Sequence, residues 1–545
     1  MMSLTSDLSP YAGRWVALIG EQVAGVGYTA EEAARLARHN RPKERFTIRF
    51  VEAPGGTVLS LSPLLARLRP LLDEEEQPVY LVGGAVRDAL LGRVSHDLDF
   101  AVPEQAVKLT FRVADALGVP AYVLDRERDT GRVVLPQEAT VLDFARFRGP
   151  NLEADLRDRD FTINALALPA TAETEASVID PLGGRDDLRA RQIRLTHDQA
   201  LMNDPVRSLR ALRLALELNF SLPPETTAAV TAAAPYLDTV SNERVRDELL
   251  KLLQTAVPHQ AVAQMAELAL LPAVLPEIAA LADVEQSAPH HEPVLPHTLS
   301  VLRWLVQVEA ALDADAPVEY PAISAVRIAL ADYAPELGVH LQRREEINVD
   351  GRTLLRLGAL FHDVGKKETR TVEEGGRVRF IGHDRVGAQL AARRLRRLSL
   401  SNKTTAHVRL IVANHMRPLL LADTPQMMPS RRAVYRFFRD VQSAGLDIGL
   451  LALADHLAIH NGLGDPVRWQ RLLTVVTTLF HHYFERFVET VAPAPLLDGH
   501  ELMAALKLKP GPEVGRLLRL IEEAQAAGEV ATKEEAIQLA REGRQ

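Results

Sequence analysis

The chain contains no cysteine, few aromatic residues and no long apolar run. Without cysteine among its 545 residues, disulfide bonds, thiolate zinc sites and cysteine nucleophiles are excluded. Aromatic residues make up 5 %, too few to indicate a platform for stacked bases. No apolar run approaches the roughly 20 residues of a membrane-spanning helix, and the first residues do not resemble a signal peptide. We therefore expect a cytoplasmic protein with no membrane partner and no disulfide-linked partner.

Charge is the second property that limits the function. The net charge of −9 argues against a protein that coats nucleic acid nonspecifically, although it does not exclude a local basic surface. Two arginine-rich stretches could each be either a solvated helix face or an RNA-binding track. The first stretch contains Arg393, Arg394, Arg396 and Arg397 with Lys403. The second contains Arg431, Arg432, Arg436 and Arg439.

The length predicts about three or four domains. Residues 1–53 are expected to form a small β-α-β module, because WVALIG and RFTIRFVEAP are strand-like and flank a helical segment whose N-cap is Thr29. Within residues 76–195, strand-like segments alternate with short helices, which predicts an α/β unit. From residue 196 the pattern is almost wholly helical. Turn-rich segments separate the regions 196–285, 286–485 and 490–545, so the fold class is multidomain α+β.

The segment LVGGAVRDALLGRVSHDLDF carries the strongest chemical signal. A strand at residues 80–82 leads through Gly83 and Gly84 into a helix, and Arg87 lies on its first turn. Paired glycines let a backbone approach a phosphate closely, and a helix N-terminus favours anions. The pattern predicts a phosphate-binding turn. It is not the phosphate-binding loop of the GxxxxGK[ST] type, which the chain lacks.

Two carboxylates follow this turn. Asp97 and Asp99 are two residues apart on an expected strand, so they share one face. Asp143, in the strand-like TVLDFARF, is the candidate for a third acid on a neighbouring strand. Carboxylates beside a phosphate site suit Mg²⁺ ions, which can activate an attacking hydroxyl and stabilise a leaving pyrophosphate. We predict a magnesium-dependent catalytic site at these aspartates.

These motifs resemble the signature of the class II tRNA nucleotidyltransferase and bacterial poly(A) polymerase family, within the polymerase-β-like superfamily. The resemblance continues through DLRDRDFTINALAL, VIDPLGGRDDLRARQIR, NDPVRSLRALRLALELNF and SNERVRDELLKLL, and resumes in the C-terminal LLDGHELMAALKLKPGPEVGRLL. It implies a mixed-sheet head domain at 76–195, a helical neck at 196–285 and a tRNA-facing segment at 490–545. It also implies that Arg159, Asp160 and Asn164 contact the nucleotide, and that the partners are tRNA and CTP, or ATP.

The resemblance further implies that side chains select the incoming base. The family pattern Glu-Asp-x-x-Arg is here Asn203-Asp204-Pro205-Val206-Arg207, and only its first residue departs. Asp204 and Arg207 are three apart and are expected to share a helix face, where a carboxylate can accept from the cytosine amino group. Arg210 and Arg213 match family arginines near the triphosphate.

A missing loop bears on which nucleotides are added. Relatives that add the whole CCA carry a flexible loop after the strand of the third carboxylate. Here only Gly149, Pro150 and Asn151 separate DFARFR from Leu152. Loss of this loop is characteristic of relatives that add only the two cytidines, so a CC-adding enzyme is expected. The alternatives are a CCA-adding or A-adding enzyme, a poly(A) polymerase and a non-catalytic RNA-binding protein. The intact aspartates argue against the last.

A second constellation lies in the helical half and consists of His297, His362, Asp363, His383, His415 and Asp455. Histidine and aspartate ligands in this order suit a divalent transition metal, or magnesium where carboxylates dominate. The set resembles the HD phosphohydrolase superfamily, which implies an HD-type domain at 286–485 with a metal-dependent hydrolase activity. The alternative is a retained scaffold that only helps to hold tRNA.

Overall fold

The computed structural model describes residues 7–53, 55–138, 140–424, 428–462 and 464–544. The remaining positions, among them residues 1–6 of the predicted N-terminal module, lie outside this description. Two compact units make up the chain: the first ends at Ala233 and the second begins at Ala234. This boundary falls inside the region 196–285 that the sequence assigns to a neck, and the predicted domain limits remain predictions.

The first unit contains both strands and helices. Its strands are β1 (Arg14–Ile19), β2 (Gln22–Gly27), β3 (Thr47–Val51), β4 (Tyr80–Val82), β5 (Leu98–Val102), β6 (Ala121–Asp125), β7 (Thr130–Leu135), β8 (Thr140–Arg146) and β9 (Ala167–Pro169). Its helices are α1 (Ala30–Asn40), α2 (Pro63–Leu72), α3 (Gly84–Leu90), α4 (Ala106–Leu117), α5 (Leu152–Arg157), α6 (Gly184–Ala190), α7 (Ala200–Asn203), α8 (Arg207–Leu218) and α9 (Pro224–Ala233), with 3₁₀ turns at Ser9–Tyr11, Thr162–Asn164 and Glu175–Ser177.

The second unit is mainly helical. Its helices are α10 (Asn242–Gln254), α11 (Pro258–Glu267), α12 (Leu270–Val274), α13 (Pro276–Ala279), α14 (Val294–Ala311), α15 (Pro321–Leu330), α16 (Ala334–Gln342), α17 (Gly351–Phe361), α18 (Lys366–Thr369), α19 (His383–Arg397), α20 (Asn402–Asn414), α21 (Arg417–Ala422), α22 (Arg431–Val441), α23 (Ala444–His460), α24 (Pro466–Glu485), α25 (Gly499–Leu506), α26 (Pro512–Ala527) and α27 (Lys533–Glu542). Short hairpins are formed by β10 (Arg344–Glu346) with β11 (Val349–Asp350) and by β12 (Arg370–Val372) with β13 (Val378–Phe380); 3₁₀ turns lie at Ala234–Thr239 and Ala331–Tyr333, and a π turn at Phe487–Val491.

The N-terminal module has one strand more than the sequence predicted. Strand β2 completes an antiparallel sheet in the order β2-β1-β3, so the module is β-β-α-β. The sequence did not predict this strand because it contains glycines, which are poor strand formers. They are needed here because α1 lies directly on β2: a Cβ atom at Gly25 would stand 2.2 Å from the carbonyl oxygen of Ala33. The predicted N-cap is confirmed, since Thr29 and Glu32 form a capping box.

The head domain is built on a mixed sheet, as the sequence predicted. Its strands run in the order β6-β7-β8-β5-β4-β9, with β5 and β8 parallel and the other pairs antiparallel. Phe100 and Phe144 stack at 4.8 Å between ring centroids, and both are fully buried. Because successive strand residues point to opposite faces, the neighbouring Asp99 and Asp143 leave the core on the other side of the sheet.

The N-terminal module shares its core with the head sheet. Trp15 of β1 packs edge-on against Tyr80 of β4 at 5.3 Å, and Tyr80 contacts Phe147 at 6.1 Å. These three side chains are buried in one apolar cluster with α1. The module therefore supports β4, the strand that leads into the glycine turn.

The helical unit is organised around long buried helices. Helix α23 buries nearly its whole length and packs against α14 and α24. In the described part of the chain, no helix is both long enough and apolar enough to cross a membrane. A buried ion pair ties α14 to α17: the Arg356 guanidinium donates to both carboxylate oxygens of Glu309, at 3.0 and 2.7 Å, and to the carbonyl oxygens of Leu253 and Thr255.

We expect Arg356→Ala to lower the free energy of unfolding of this unit by about 3 kcal/mol, because it removes the buried guanidinium that donates to both Glu309 oxygens and leaves only the partly exposed Arg352, whose Nε lies 3.3 Å from Oε2 of that carboxylate. Urea unfolding followed by circular dichroism measures the change. Arg519→Ala removes an exposed arginine of α26 and serves as the matched control. A shift for Arg356→Ala no larger than that of the control would contradict the importance of this pair.

Candidate active site and candidate metal centre

A tight turn places the first candidate site. Strand β4 ends at Val82, and Gly83 has a φ of +75°, which favours glycine, before α3 begins at Gly84. A Cβ atom on Gly83 would lie 3.2 Å from Nη1 of Arg159 and 3.7 Å from Oδ2 of Asp99. The turn therefore brings a predicted nucleotide-binding arginine close to a predicted catalytic carboxylate.

The strand register brings the candidate carboxylates together. Asp99 of β5 lies directly opposite Asp143 of the parallel β8, and Asp97 immediately precedes β5. Solvent reaches the Asp99 side chain, but protein atoms crowd its carboxylate. This desolvation, followed by the negative charge of Asp143, raises the pKa of Asp99 to about 6. Carboxylates side by side on adjacent strands are a donor set that suits a divalent cation.

Asp143 is already engaged by a residue that sequence reasoning missed. Nε and Nη2 of Arg132 donate to the two Asp143 oxygens at 2.7 and 2.6 Å. Among the described residues, the ligand oxygens of Asp97, Asp99 and Asp143 do not form a group within 4.8 Å of one another. In the β7–β8 hairpin Arg132 lies directly opposite Asp143. Pairing the residues of the two strands outward from the hairpin turn would have predicted this contact from the sequence.

The predicted nucleotide-binding residues form a hydrogen-bonded chain. Arg87 donates to Oδ1 of Asn164 at 2.7 Å, Asn164 donates to Oδ1 of Asp160 at 3.1 Å, and Arg210 donates to Oδ2 of Asp160 at 3.0 Å. Burial alone would raise the pKa of Asp160, but Arg210 and Asn164 hold it below its usual value. The carboxylate therefore stays ionised and orients two cationic side chains. Arg213 instead pairs with Glu217 on α8 at 2.8 Å.

Arg159 is oriented by a second residue that the sequence did not reveal. Its guanidinium donates to Oδ2 of the buried Asp155 at 3.2 and 3.0 Å. Asp155 lies four residues earlier, on α5, and this helical spacing is the signal that was available. Asp155 also accepts from the backbone N–H of Arg148, so it joins the end of the β8 segment to Arg159.

The predicted base-selecting pair meets, but not on a helix face. Arg207 is the first residue of α8, whereas Asp204 lies between α7 and α8 with φ −150° and ψ 89°. Pro205 is the cause, because the residue before a proline is pushed out of the helical region. Oδ2 of Asp204 lies 3.7 Å from Nε of Arg207. The Arg207 guanidinium is buried and donates to the carbonyl oxygens of Asp158, Arg159 and Ala200.

The connection from β8 to α5 is short and packed. β8 ends at Arg146 and α5 begins at Leu152, with the Asn151 side chain as its N-cap. A Cβ atom on Gly149 would stand 2.6 Å from Cβ of Ala154, so this link lies directly against the helix. The structure has no extended loop in this described segment.

The six residues of the second constellation converge within the helical unit. His297, His362 and Asp455 place ligand atoms within 4.8 Å of one another, and so do Asp363, His383 and His415. They come from α14, the end of α17, the start of α19, the end of α20, and α23. Asp363 lies between the groups, because its Oδ2 is 3.1 Å from Nε2 of His362 and its Oδ1 is 3.4 Å from Nε2 of His383. The donor set thus offers two adjacent metal positions.

Backbone carbonyls fix the orientation of three of these histidines. Nδ1 of His362, His383 and His415 lies 2.7–2.8 Å from the carbonyl oxygens of Ala359, Phe380 and Val412. A carbonyl oxygen can only accept, so each Nδ1 carries the proton and each neutral ring keeps a lone pair on Nε2. The Nε2 atoms of His383 and His415 face each other at 3.3 Å. Two lone pairs at that distance repel unless a proton or a cation lies between them.

Buried atoms without an aligned hydrogen bond also mark this centre. Nε2 of His297 and His362 and one carboxylate oxygen each of Asp363 and Asp455 are buried and form no aligned hydrogen bond with the described residues, although they lie at ion-pair distances from one another and from Lys366. Burial, followed by the positive charge that protonated His362 and His383 would carry, lowers the pKa of His415 to about 4, which keeps it neutral and able to coordinate. A buried cluster of nitrogen and carboxylate donors fits a divalent metal.

A cavity of about 380 Å³ opens onto the metal centre. Asp363, His383 and Asp455 reach its wall, and so does the buried Lys366, whose Nζ lies 2.7 Å from Oδ2 of Asp363. Arg379, which also lines the cavity, adds a further cation. The space adjoins both candidate metal positions and is large enough for a small ligand.

Family models match successive parts of the chain. The model described as "Poly A polymerase head domain" matches residues 79–194. "Probable RNA and SrmB- binding site of polymerase A" matches residues 219–281, and "tRNA nucleotidyltransferase domain 2 putative" matches residues 386–540. The fold and these matches define a nucleotidyltransferase with a polymerase-type head.

Curated relatives narrow this class. The chain is 36 % identical to the A-adding tRNA nucleotidyltransferase of Deinococcus radiodurans, over 86 % of this chain and 96 % of the relative. It is 35 % identical to the CC-adding tRNA nucleotidyltransferase of Thermus thermophilus, over 84 % and 91 %. The chain belongs to the tRNA nucleotidyltransferase family and is an enzyme. These matches do not test the HD-type resemblance, which remains a prediction.

Solved structures agree with the fold. A CCA-adding enzyme in complex with ATP aligns with a TM-score of 0.56 at 20 % identity, over 88 % of this chain and 95 % of that one. A CCA-adding enzyme in complex with CTP aligns with a TM-score of 0.55 at 20 % identity, over 89 % and 97 %. At this identity the likeness supports the multidomain architecture only.

Proposed function

We propose that this enzyme is a CC-adding tRNA nucleotidyltransferase, which acts in the cytoplasm and transfers two CMP residues from CTP to the 3′ end of tRNA with release of pyrophosphate. The observation that carries the proposal is the packed link between Arg146 and Leu152, where a flexible loop would stand. A pocket that cannot change shape cannot accept the larger purine after two additions. Overall identity does not decide the question, because the A-adding and CC-adding relatives stand at 36 % and 35 %.

The catalytic step assigned to the first site is in-line attack of the tRNA 3′-OH on the α-phosphate of CTP. Asp97, Asp99 and Asp143 would hold Mg²⁺. When bound, the metal would lower the pKa of the attacking hydroxyl and offset charge on the leaving pyrophosphate. Asp99 and Asp143 suit this role because they lie in register on adjacent strands. Arg132 pairs with Asp143 and would have to release an oxygen of this carboxylate for Asp143 to hold the metal.

The basic side chains around the carboxylates supply the triphosphate site. Asp160 and Asn164 hold Arg87 and Arg210 in one hydrogen-bonded chain, so these guanidinium groups are positioned before the nucleotide arrives. Asp155 does the same for Arg159. Pre-positioned cations lower the cost of ordering the nucleotide and stabilise the charge that moves to pyrophosphate.

Asp204 and Arg207 are the proposed template for the base. The carboxylate of Asp204 would accept from the cytosine amino group. Three backbone carbonyls hold Arg207 in place, and one of them belongs to Arg159. Base selection and phosphate binding would therefore be coupled through the backbone of residues 158–159.

The test offers tRNAs that end before CCA, after one C and after CC, each with CTP or ATP alone. We expect two CMP additions to the first tRNA, one to the second, and no efficient addition of AMP to the third.

Asp204→Asn should lower the kcat/KM ratio of CTP over ATP by about 10- to 100-fold, because the neutral amide oxygen accepts more weakly from the cytosine amino group and the amide as a whole can both donate to and accept from adenine. Asp198→Asn, at an exposed position, is the matched control. An unchanged ratio in Asp204→Asn would remove Asp204 from base selection.

We propose a metal-dependent phosphoester hydrolysis as a second function of the same chain. Its support is the set of buried nitrogen and carboxylate donors that form no aligned hydrogen bond with the described residues, together with the facing Nε2 atoms of His383 and His415. His297, His362 and Asp455 would hold one divalent ion, and Asp363, His383 and His415 the other. When bound, the metal would supply a hydroxide at neutral pH. Lys366 would contact the phosphate. A 2′,3′-cyclic phosphate at a damaged RNA end is the substrate class that fits an enzyme of tRNA ends.

A further inference from the structure

An arginine-lined groove runs between α19 and α20, and none of the assignments above uses it. Its volume is about 530 Å³. Ala392, Arg393 and Arg396 of α19 line one side, and Thr405, Ala406 and Arg409 of α20 line the other. Each helix contributes residues at positions i, i+1 and i+4, which share a helix face. The small side chains leave the groove open between the three arginines.

The described part of the chain does not compensate the charge of this groove. Arg393, Arg396 and Arg409 are exposed and make no ion pair or side-chain hydrogen bond with the residues that the structure describes. The lining residues include no carboxylate. In a chain of net charge −9, acidic partners are available elsewhere, so three unpaired arginines along one groove favour an anionic ligand from outside.

The second arginine-rich stretch behaves differently. Arg432 of α22 pairs with Glu529 at 2.6 Å and with Glu523 at 3.4 Å, and Arg436 pairs with Glu523. Tyr435 donates to Glu522 at 3.1 Å. These contacts hold α22 against α26, so that stretch is part of the internal packing. The structure thus separates two stretches that the sequence alone could not distinguish.

A buried hydroxyl in the groove gives independent support. Thr405 is only 1 % exposed, yet its Oγ1 has no hydrogen-bond partner among the described residues. A buried hydroxyl without a partner costs free energy, and a phosphate oxygen would satisfy it. The lining also contains no aromatic side chain, so the groove offers contacts to phosphates and no surface for stacked bases.

We propose that the groove between α19 and α20 binds the sugar–phosphate backbone of the tRNA substrate. This inference rests on the proposed function for the identity of the RNA. Arg393, Arg396 and Arg409 contact phosphates and set the position of the tRNA without reading its sequence. The groove therefore contributes to tRNA affinity and leaves CTP binding and the chemical step unchanged.

The test replaces all three arginines in the full-length enzyme: Arg393→Gln, Arg396→Gln and Arg409→Gln. The side chains are exposed, so we expect the fold to be retained, which circular dichroism checks. Fluorescence anisotropy with tRNA lacking CCA, over a series of salt concentrations, should show binding about tenfold or more weaker at low salt. The slope of log affinity against log salt should fall by about three, one for each lost phosphate contact. The KM for CTP should not change.

The control carries the same change in net charge at exposed positions elsewhere: Arg35→Gln, Lys43→Gln and Arg126→Gln. Equal salt slopes for the two triple variants would overturn the proposal. Loss of ATP or tripolyphosphate binding in the groove variant, with tRNA binding unchanged, would assign the groove to a free nucleotide and also overturn it. Fluorescence anisotropy measures tRNA binding and does not require catalysis. A wild-type enzyme that adds no CMP would therefore refute the proposed function, while the binding measurements would still test the groove.

Discussion

Asp99→Ala should reduce kcat for CMP addition by about 10³-fold or more, because it removes the carboxylate that lies in register with Asp143 and two residues from Asp97. The strand register places Asp99 opposite Asp143 and next to β4, at the glycine turn. A metal held by the remaining carboxylates would lose several kcal/mol of transition-state stabilisation. Radiolabelled CTP and a tRNA lacking CCA measure the rate in a single turnover. The affinity for tRNA should stay within about twofold, because Asp99 is not expected to bind the tRNA body.

Two comparisons make this result specific. Asp115→Ala removes an exposed carboxylate of α4 and should leave the rate unchanged. Asp99→Asn keeps the size of the side chain and removes its charge, so it should be as inactive as Asp99→Ala. A folded Asp99→Ala enzyme that retains more than about a tenth of the wild-type rate would show that the metal is held elsewhere.

Asp363→Asn should weaken metal binding at the second centre by about 100-fold or more, because this carboxylate faces both groups of ligands. Its Oδ2 lies near His362 and His297, and its Oδ1 lies near His383 and His415. Elemental analysis of the purified protein measures metal content directly and does not depend on activity. Release of product from a 2′,3′-cyclic phosphate should be lost in parallel, whereas CMP addition should continue at the wild-type rate.

The matched control for the second centre is Asp332→Asn, at an exposed aspartate of the same unit. Equal metal content in wild type, Asp332→Asn and Asp363→Asn would contradict the metal assignment. If metal binding depends on Asp363 but the wild-type enzyme hydrolyses no 2′,3′-cyclic phosphate, the metal is structural and the proposed hydrolase activity is refuted. In that case the centre would be a scaffold, the alternative that the sequence left open.

Local sequence rules predicted the parts of the fold that depend on local physics. The strand at Tyr80–Val82, the glycine turn and the N-cap at Thr29 all follow from preferences of neighbouring residues. Strand alternation singled out Asp97 and Asp99, although Asp97 lies just before β5, and Asp143 was the acid on a neighbouring strand; their roles as metal ligands remain predictions. The family resemblance supplied the order of the domains and the candidate roles of the site residues.

Tertiary contacts account for what the sequence did not reveal. Helix α1 packs directly onto β2, and this close approach requires glycine in the strand. Because glycine has a low strand propensity, the sequence did not predict β2. Arg132 is near Asp143 only through the pairing of β7 with β8. Asp204 lies outside the predicted helix because the next residue is Pro205. The two arginine stretches look alike in sequence. In the first, Arg394 pairs with Glu277 but the arginines of the groove have no carboxylate beside them among the described residues, whereas in the second Arg432 and Arg436 pair with glutamates of α26 and its following turn.

The most direct test of the central claim gives the wild-type enzyme a tRNA lacking CCA together with CTP and ATP, and reads the 3′ end by mass. We expect the product to gain two CMP residues and stop, because the packed link after β8 leaves the pocket unable to change for a purine. A product that ends in CCA would contradict the CC-only assignment, and a product without any added nucleotide would contradict the assignment of the site at Asp97 and Asp99.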